Sequence, residues 1–303
     1  MLNQEVIVNQ QLQEQIIYED PSFPLGRFID QLDSFAGGTF LCHCHAEFEL
    51  ALVLKGCVEY QLEQTAVRLS SGEGIFINSK ALHSARQLVP DSVIFNIEFL
   101  SSLFNTVITS SLYQKYFNPV AIKNTTGCQI LPDTKEGSEI LRCLMNIHNS
   151  TLGEFAYELS CMENVLHIWR NLLSLIKQTE AAPLSPDDIL REHRMRKMVA
   201  FIQSHFDSPI TIEDIAASTN ISRSECFRCF SIFCSTAPME YVNRYRLQYA
   251  AQKLSTTGDS ISDICFASGF SSVSYFGKAF RKAYKLSPSD YRKKELASNA
   301  EIE

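Results

Sequence analysis

A chain of 303 residues with 45 % apolar and 20 % charged residues is too long for one small core and has the composition of a folded soluble protein, which excludes disordered and fibrous classes. The net charge of −7 is unevenly spread: residues 1–186 hold 11 Lys and Arg against 20 Asp and Glu, and residues 187–303 hold 16 against 14. An acidic front and a mildly basic rear hint at a polyanion partner for the C-terminal part.

At the N-terminus, MLNQEVIVNQ lacks a basic segment followed by an apolar one, so no secretory signal is expected. The longest apolar runs, such as Leu50–Leu54, are far short of a membrane span. Ten scattered cysteines then read as reduced thiols of a cytoplasmic protein. The first ~20 residues are Gln-rich and polar, which predicts an arm. From ~22 to ~100, short β-rich runs (FLCHC, FELALVL, CVEYQL, AVRLS, GIFIN, SVIFNIEF) alternate with Gly, Ser, Asn and Pro, the spacing of a β-sandwich or barrel. Within it, HCHAEFE places His43 and His45 on one strand face, with Glu47 and Glu49 following if the strand stays regular. Cys42 and Cys44 fall on the opposite face, which makes a mixed Cys/His zinc site awkward.

Beyond Ser101 the period changes to 3.6. Residues 139–148 and 156–176, with Trp169, predict amphipathic helices whose apolar face packs on the barrel or on a second copy of the chain. AAPLSPDD (181–188) reads as a linker. Everything after it reads as helical to about Lys294.

The C-terminal third is internally duplicated. TIEDIAASTNISRSECFRCFSIF (211–233) and SISDICFASGFSSVSYFGKAFRKAY (260–284) share one pattern. Each has a capped helix start (Thr211 with Asp214; Ser260 with Asp263), a turn at Asn220 or Gly269, an apolar residue (Ile221, Phe270) and a serine cap, Ser222 or Ser271. SRSE at 222–225 predicts a full capping box. Two copies of helix, tight turn and capped helix are two helix-turn-helix units. A helical wheel puts Cys226, Cys229, Phe230 and Phe233 on the core side, with Ser224, Phe227, Arg228 and Ser231 opposite. In the second copy Phe276, Ala279, Phe280 and Ala283 are core; Ser274, Gly277, Lys278 and Arg281 face out, with Tyr275 at the edge. Arg228 and Lys278 are equivalent cations on exposed faces, suited to base edges or phosphates. MEYVNRYRLQYAAQKLSTTG (239–258) predicts a helix that spaces the two units for successive major grooves, about 34 Å apart.

Over residues 195–294 the chain resembles the AraC-type transcription regulators, through IEDIAASTNIS, RCF-x9-YVNRYRLQYAAQKL and ISDICFASGFSSVSYFGKAFRKAYKLSPSDYRK. The resemblance implies a DNA-binding domain joined to an effector-binding or dimerising N-terminal domain. Phe227 departs from the polar residue the family often carries on its DNA side. The spacing Gly37-x5-His43-x-His45-x3-Glu49-x6-Gly56 resembles the first cupin motif, two histidines and a glutamate in a small barrel. Gly72 through His83 resembles a degraded second motif, with Asn78, Lys80 and Gln87 where the family has proline, glycine and asparagine. A cupin-like barrel is implied, and a divalent metal at His43, His45, Glu49 and His83 is a candidate only.

These observations predict an α+β multidomain chain: a cupin-like effector-binding barrel with its arm (1–100), a helical dimerisation or linker segment (101–180), and an all-α double helix-turn-helix domain (187–295). The expected function is sequence-specific regulation of transcription in response to a small, sugar-like effector held by His43, His45, Glu49 and His83. No enzymatic role and no obligatory cofactor are expected, and there is no membrane partner. DNA contacts are expected from Arg223, Ser224, Phe227, Arg228, Ser274, Tyr275, Lys278 and Arg281. The partners are double-stranded promoter DNA, the effector, a second copy of the chain, and RNA polymerase if the protein activates. The alternative is a cupin metalloenzyme or metal sensor fused to a DNA-binding domain.

Overall fold

A computed structural model describes residues 16–104, 109–117, 125–178 and 185–300. Most of the expected N-terminal arm, and residues 181–184 of the expected linker, lie outside the described residues.

Two antiparallel sheets form the N-terminal barrel. The five-stranded sheet has the order β1 (Leu25–Gln31), β8 (Val93–Phe99), β3 (Phe48–Lys55), β6 (Gly74–Ile77), β9 (Gly127–Ile130). The four-stranded sheet runs β2 (Thr39–His43), β7 (His83–Gln87), β4 (Cys57–Leu62), β5 (Thr65–Ser70). Strand β9 corrects the sequence boundary at residue 100, because the barrel takes an edge strand from the stretch read as a helical segment. A run of four residues with one buried position carries too little periodicity to announce itself.

Strands β3 and β8 have both faces buried, which is why FELALVL and VIFNIEF read as nearly unbroken apolar runs. Phe48, Leu50, Leu52, Phe95, Ile97 and Phe99 point to one side and pack beneath α2 (Lys135–Asn149) and α3 (Tyr157–Gln178), around the buried Trp169. A short helix, α1 (Ser110–Tyr116), supplies the carbonyl of Tyr116 to the indole N–H of Trp169 at 3.1 Å. The alternate positions Ala51, Val53 and Ile94 face the barrel interior, and Glu49, Asn96 and Glu98 share that inward side.

The C-terminal domain is helical: α4 (Pro186–His205), α5 (Ile212–Ala217), α6 (Arg223–Cys234), α7 (Pro238–Thr256), α8 (Ile261–Ala267), α9 (Val273–Tyr284) and α10 (Pro288–Ala300). Helix α4 begins inside the stretch read as a linker: Ser185 caps it with a full capping box to Asp188, and Pro186 occupies the first turn. The polarity that read as a linker is that of a helix start. Met195, Met198, Val199, Ile215, Phe230 and Phe233 form the core of the first helix-turn-helix unit, and that core continues into Leu41, Cys42, Cys44 and Leu82 of the barrel. The second unit has its own core, including Leu254, Ile264, Phe276 and Phe280, joined by Ala36 of the barrel.

Candidate functional site

Strand pairing gathers the polar residues of the barrel interior. His43 and His83 are register partners across β2 and β7, and Glu49 and Glu98 are partners across β3 and β8. The two sheets therefore present imidazoles from one wall and carboxylates from the other. All of these side chains, and His45, are at most 6 % exposed. Ring centroids lie 4.1 Å apart for His43 and His83, and 5.1 Å for His45 and His83. His43, His45 and His83 can turn one nitrogen each toward a common point, and so can His45, Glu49 and Glu98 with one ligand atom each.

The hydrogen bonds fix which nitrogens face inward. Nδ1 lies against a main-chain carbonyl in each ring: Leu41 for His43 (2.8 Å), Glu47 for His45 (3.1 Å) and Ala81 for His83 (2.9 Å). A nitrogen facing a carbonyl must donate, so the proton sits on Nδ1, and in a neutral ring the Nε2 lone pair is left for the cavity. The Nε2 atoms of His45 and His83 both stand 3.2 Å from Glu49 Oε2. Two lone pairs against a carboxylate oxygen repel, so this arrangement asks for a cation, either a proton or a metal. Burial pushes His83 down to about 4, and the neighbouring His43 adds to that, which leaves the ring neutral at pH 7. Burial alone would raise the Glu49 carboxyl; a proton on the His45 or His83 nitrogens that face it would hold it below the carboxylate range instead, the role a cation plays there. Each group of three, the imidazoles of His43, His45 and His83 or His45 with Glu49 and Glu98, has donor chemistry suited to a borderline divalent cation such as Mn, Fe, Co, Ni or Zn.

Glu47 leaves the cage and accepts a hydrogen bond from Tyr18 at 2.8 Å. Glu98 is a cage residue that the sequence motifs missed. Asp30 and Asn96, joined by a 2.6 Å hydrogen bond, extend the polar wall.

On the helical domain the two units match in detail. Thr211 caps α5 with a full box to Asp214, and Ser260 accepts from the Asp263 amide at 3.1 Å. Asn220 and Gly269 have φ of +53° and +76°, the left-handed turns the pattern predicted. At Gly269 a Cβ would come 2.1 Å from the Phe206 carbonyl oxygen, so this turn admits glycine alone. Two details correct the sequence reading. The cap of α9 is Ser272 rather than Ser271, a choice that adjacent serines leave to backbone geometry. Ser222 accepts from the Glu225 amide at 3.2 Å, but Glu225 does not close the box; its carboxylate pairs with Arg191 and Arg194 of α4.

Cys226, Cys229, Phe230, Phe233, Phe276 and Phe280 are buried. Ser224, Phe227, Arg228, Ser274, Tyr275, Lys278 and Arg281 are exposed, with Tyr275 at 56 %. Arg223 is also exposed, paired with Glu213 at 3.2 Å and lying over the Phe227 ring. Burial pushes the Cys226 thiol up to about 11, as befits a core thiol. Arg246, which the sequence did not single out, is buried on α7 and donates to the carbonyls of Phe206 (2.7 Å) and Ser208 (2.8 Å), beside Gly269. It ties the first unit to the turn of the second.

Comparison with known proteins follows the same division. Residues 34–168 match the AraC-like ligand binding domain, and residues 215–294 match a helix-turn-helix domain. The chain is 27 % identical over 289 residues to YdeC of Bacillus subtilis, an uncharacterised HTH-type transcriptional regulator, covering 95 % of this chain and 98 % of that one. It is 33 % identical over 125 residues to the HTH-type transcriptional regulator MtrA of Neisseria gonorrhoeae, 40 % of this chain and 41 % of that one. The structure is also similar to that of ToxT from Vibrio cholerae, over 89 % of this chain and 98 % of that one, at 14 % identity and a TM-score of 0.43. The relatives are regulators of transcription and not enzymes. No described helix is long and apolar enough to cross a membrane.

Proposed function

The chain is a DNA-binding transcription regulator of the AraC family with a ligand-binding domain, and from that premise we propose that its barrel senses a ligand held by His43, His45, His83, Glu49 and Glu98 while its two helix-turn-helix units read promoter DNA. The observation that carries the DNA-reading half is the pair of equivalent exposed faces, each with a central cation, Arg228 and Lys278, on a helix capped after a left-handed turn. Ser224 and Phe227 beside Arg228, and Ser274, Tyr275 and Arg281 beside Lys278, complete the two surfaces. Arg223, engaged by Glu213, stands ready for backbone phosphate at the helix start. Selecting fragments of the source genome on the purified chain, then titrating the selected duplex at fixed salt, tests this reading. A duplex bound no more tightly than random sequence would overturn it.

For the ligand, the cage geometry favours a divalent cation, acting alone or as the anchor of a small polar molecule. Three Nδ1–carbonyl contacts leave three Nε2 lone pairs for the cavity, two of them 3.2 Å from Glu49 Oε2, a donor set suited to a cation. A metal-free pocket for a sugar-like effector would use the same walls, with a proton in place of the metal between the imidazoles and Glu49. Elemental analysis of the purified chain beside His83→Ala separates the two: about one metal per chain, lost in the variant, supports the cation. A second copy of the chain is the expected partner, through the exposed apolar edge of the α2–α3 hairpin. Contact with RNA polymerase follows if the protein activates.

A further inference from the structure

The cage and the DNA-binding domain share a single peptide. Residues Ala36–Cys44 run along the barrel edge formed by β2, and their outer side touches the helical domain from one end to the other. Ala36 packs into the core of the second helix-turn-helix unit, and the Gly37 N–H donates to the carbonyl of Ala283, in α9, at 3.3 Å. Thr39 accepts from Arg244 of the linking helix α7 at 3.2 Å. Leu41 and Cys42 enter the core of the first unit, which Cys234 at the end of α6 shares, and there the Cys42 carbonyl accepts from the Tyr241 hydroxyl at 3.2 Å. The Cys44 sulfur accepts from Arg196 of α4 at 2.9 Å. The inner side of the same nine residues carries Phe40, in the barrel core, and the cage imidazole of His43; His45 follows directly.

A β-bulge makes this two-sided arrangement. Phe40 pairs with Ala85 and His43 with His83, so three steps on β2 match two on β7. In a regular strand positions 40 and 43 would face opposite ways. The extra residue turns both inward and leaves Leu41 and Cys42 together on the outside. Removing or relaxing the bulge therefore cannot move the imidazole without moving the residues that hold α6 and α7.

We propose that Ala36–Cys44 transmits the state of the cage to both recognition helices. Occupancy of the cage sets the seating of His43 and the bulge, and the bulge sets how the first unit, the linking helix and the second unit rest on the barrel edge. The inference rests on the reading of the cage as the ligand site. What it adds is that the coupling runs within one chain, through one strand, to both DNA-reading surfaces at once. Packed interfaces of this kind have discrete arrangements, so a sub-ångström shift at the cage can reorient whole helices.

Hydrogen exchange on the full chain tests the transmission without needing DNA or a ligand. Glu49→Gln keeps the shape of the cage residue and removes the charge that His45 and His83 approach. The proposal expects amide exchange in 223–234 and 273–284, which do not touch the cage, to change by about threefold or more. Changes confined to the barrel strands would overturn it. Should Glu49→Gln fail to fold, the reverse direction decides, because coupling is reciprocal. Tyr241→Phe removes only the hydroxyl that meets the Cys42 carbonyl, and in a chain carrying 15N-histidine the ring signals of His43 and His45 are expected to shift. Ring signals at their wild-type positions would reject the inference. A chain that selects no DNA fails as a sequence-specific regulator and leaves both arms readable; a chain that binds DNA yet keeps perturbations local loses only the transmission strand.

Discussion

Arg228 and Lys278 make the sharpest pair of predictions at the scale of single residues. If Arg228 reads base edges, Arg228→Ala weakens specific binding by about 1–3 kcal/mol and relaxes preference at one position of the site. If Lys278 meets phosphate, Lys278→Ala lowers affinity for all sequences and reduces the salt slope by about 1. Anisotropy titrations at several salt concentrations check both. Glu63 gives a pH prediction. Burial raises its carboxyl to about 7, and the facing Glu192 and Asp188 add to that against the opposing pull of Arg196. The folded chain thus keeps a proton that the unfolded chain releases near the ordinary glutamate value. The stabilisation is whole below about pH 4.5, declines as pH rises through about 7, and levels off above it. Thermal melts of Glu63→Gln are expected to lack that component; a wild-type curve of identical shape would refute the assignment. Sequence reading found His43, His45, Glu49 and His83 because they sit in recognisable spacings. Glu98 and Arg246 escaped it for a physical reason: each acquires its role from a partner far away in sequence. Asn96 and Glu98 share a face of β8 by strand period alone, but only the β3–β8 register shows that face to be the cage.

Among the elements, the duplicated helix-turn-helix was the most legible, since caps, left-handed turns and the helical wheel all act within a dozen residues. Gly269 is the element-scale test: φ of +76° and a Cβ clash with the Phe206 carbonyl make Gly269→Ala costly by about 1–3 kcal/mol in strain, read as a lower melting temperature of the helical domain. Asn220, at the matching turn, tolerates Gly without loss. The bulge in β2 was not legible. TFLCH reads as a regular strand, and the extra residue becomes visible only when two strands are counted against each other. Strand β9 and the start of α4 were misplaced for a similar reason, because a four-residue edge strand and a polar helix cap both look like loop until their partners are known.

At the scale of the whole molecule, the chain stacks a helical hairpin, a two-sheet barrel and a two-unit DNA-reading domain. Leu152, Phe155, Leu159 and Leu166 lie along the outer edge of the hairpin; Phe155 is fully exposed and Leu159 is 72 % exposed. Their spacing places them along one side of α3 and the turn before it. If two copies associate through this stripe, Phe155→Glu combined with Leu159→Glu weakens that association by about tenfold or more, measured by sedimentation, with the monomer fold intact. The division between barrel and helical domain was legible from the change of hydrophobic period and the charge asymmetry. The contact between them was not, because Leu41, Cys42 and Cys44 look like ordinary strand residues. Control of DNA binding by the cage is open to a single titration. Chelator-stripped chain is titrated against its selected duplex at fixed salt, with and without one equivalent of divalent metal, beside His83→Ala. An affinity change of about fivefold or more is expected in the wild-type chain and none in the variant. Equal affinities in the wild-type chain with the metal bound in its cage, or the same change in His83→Ala, would contradict it.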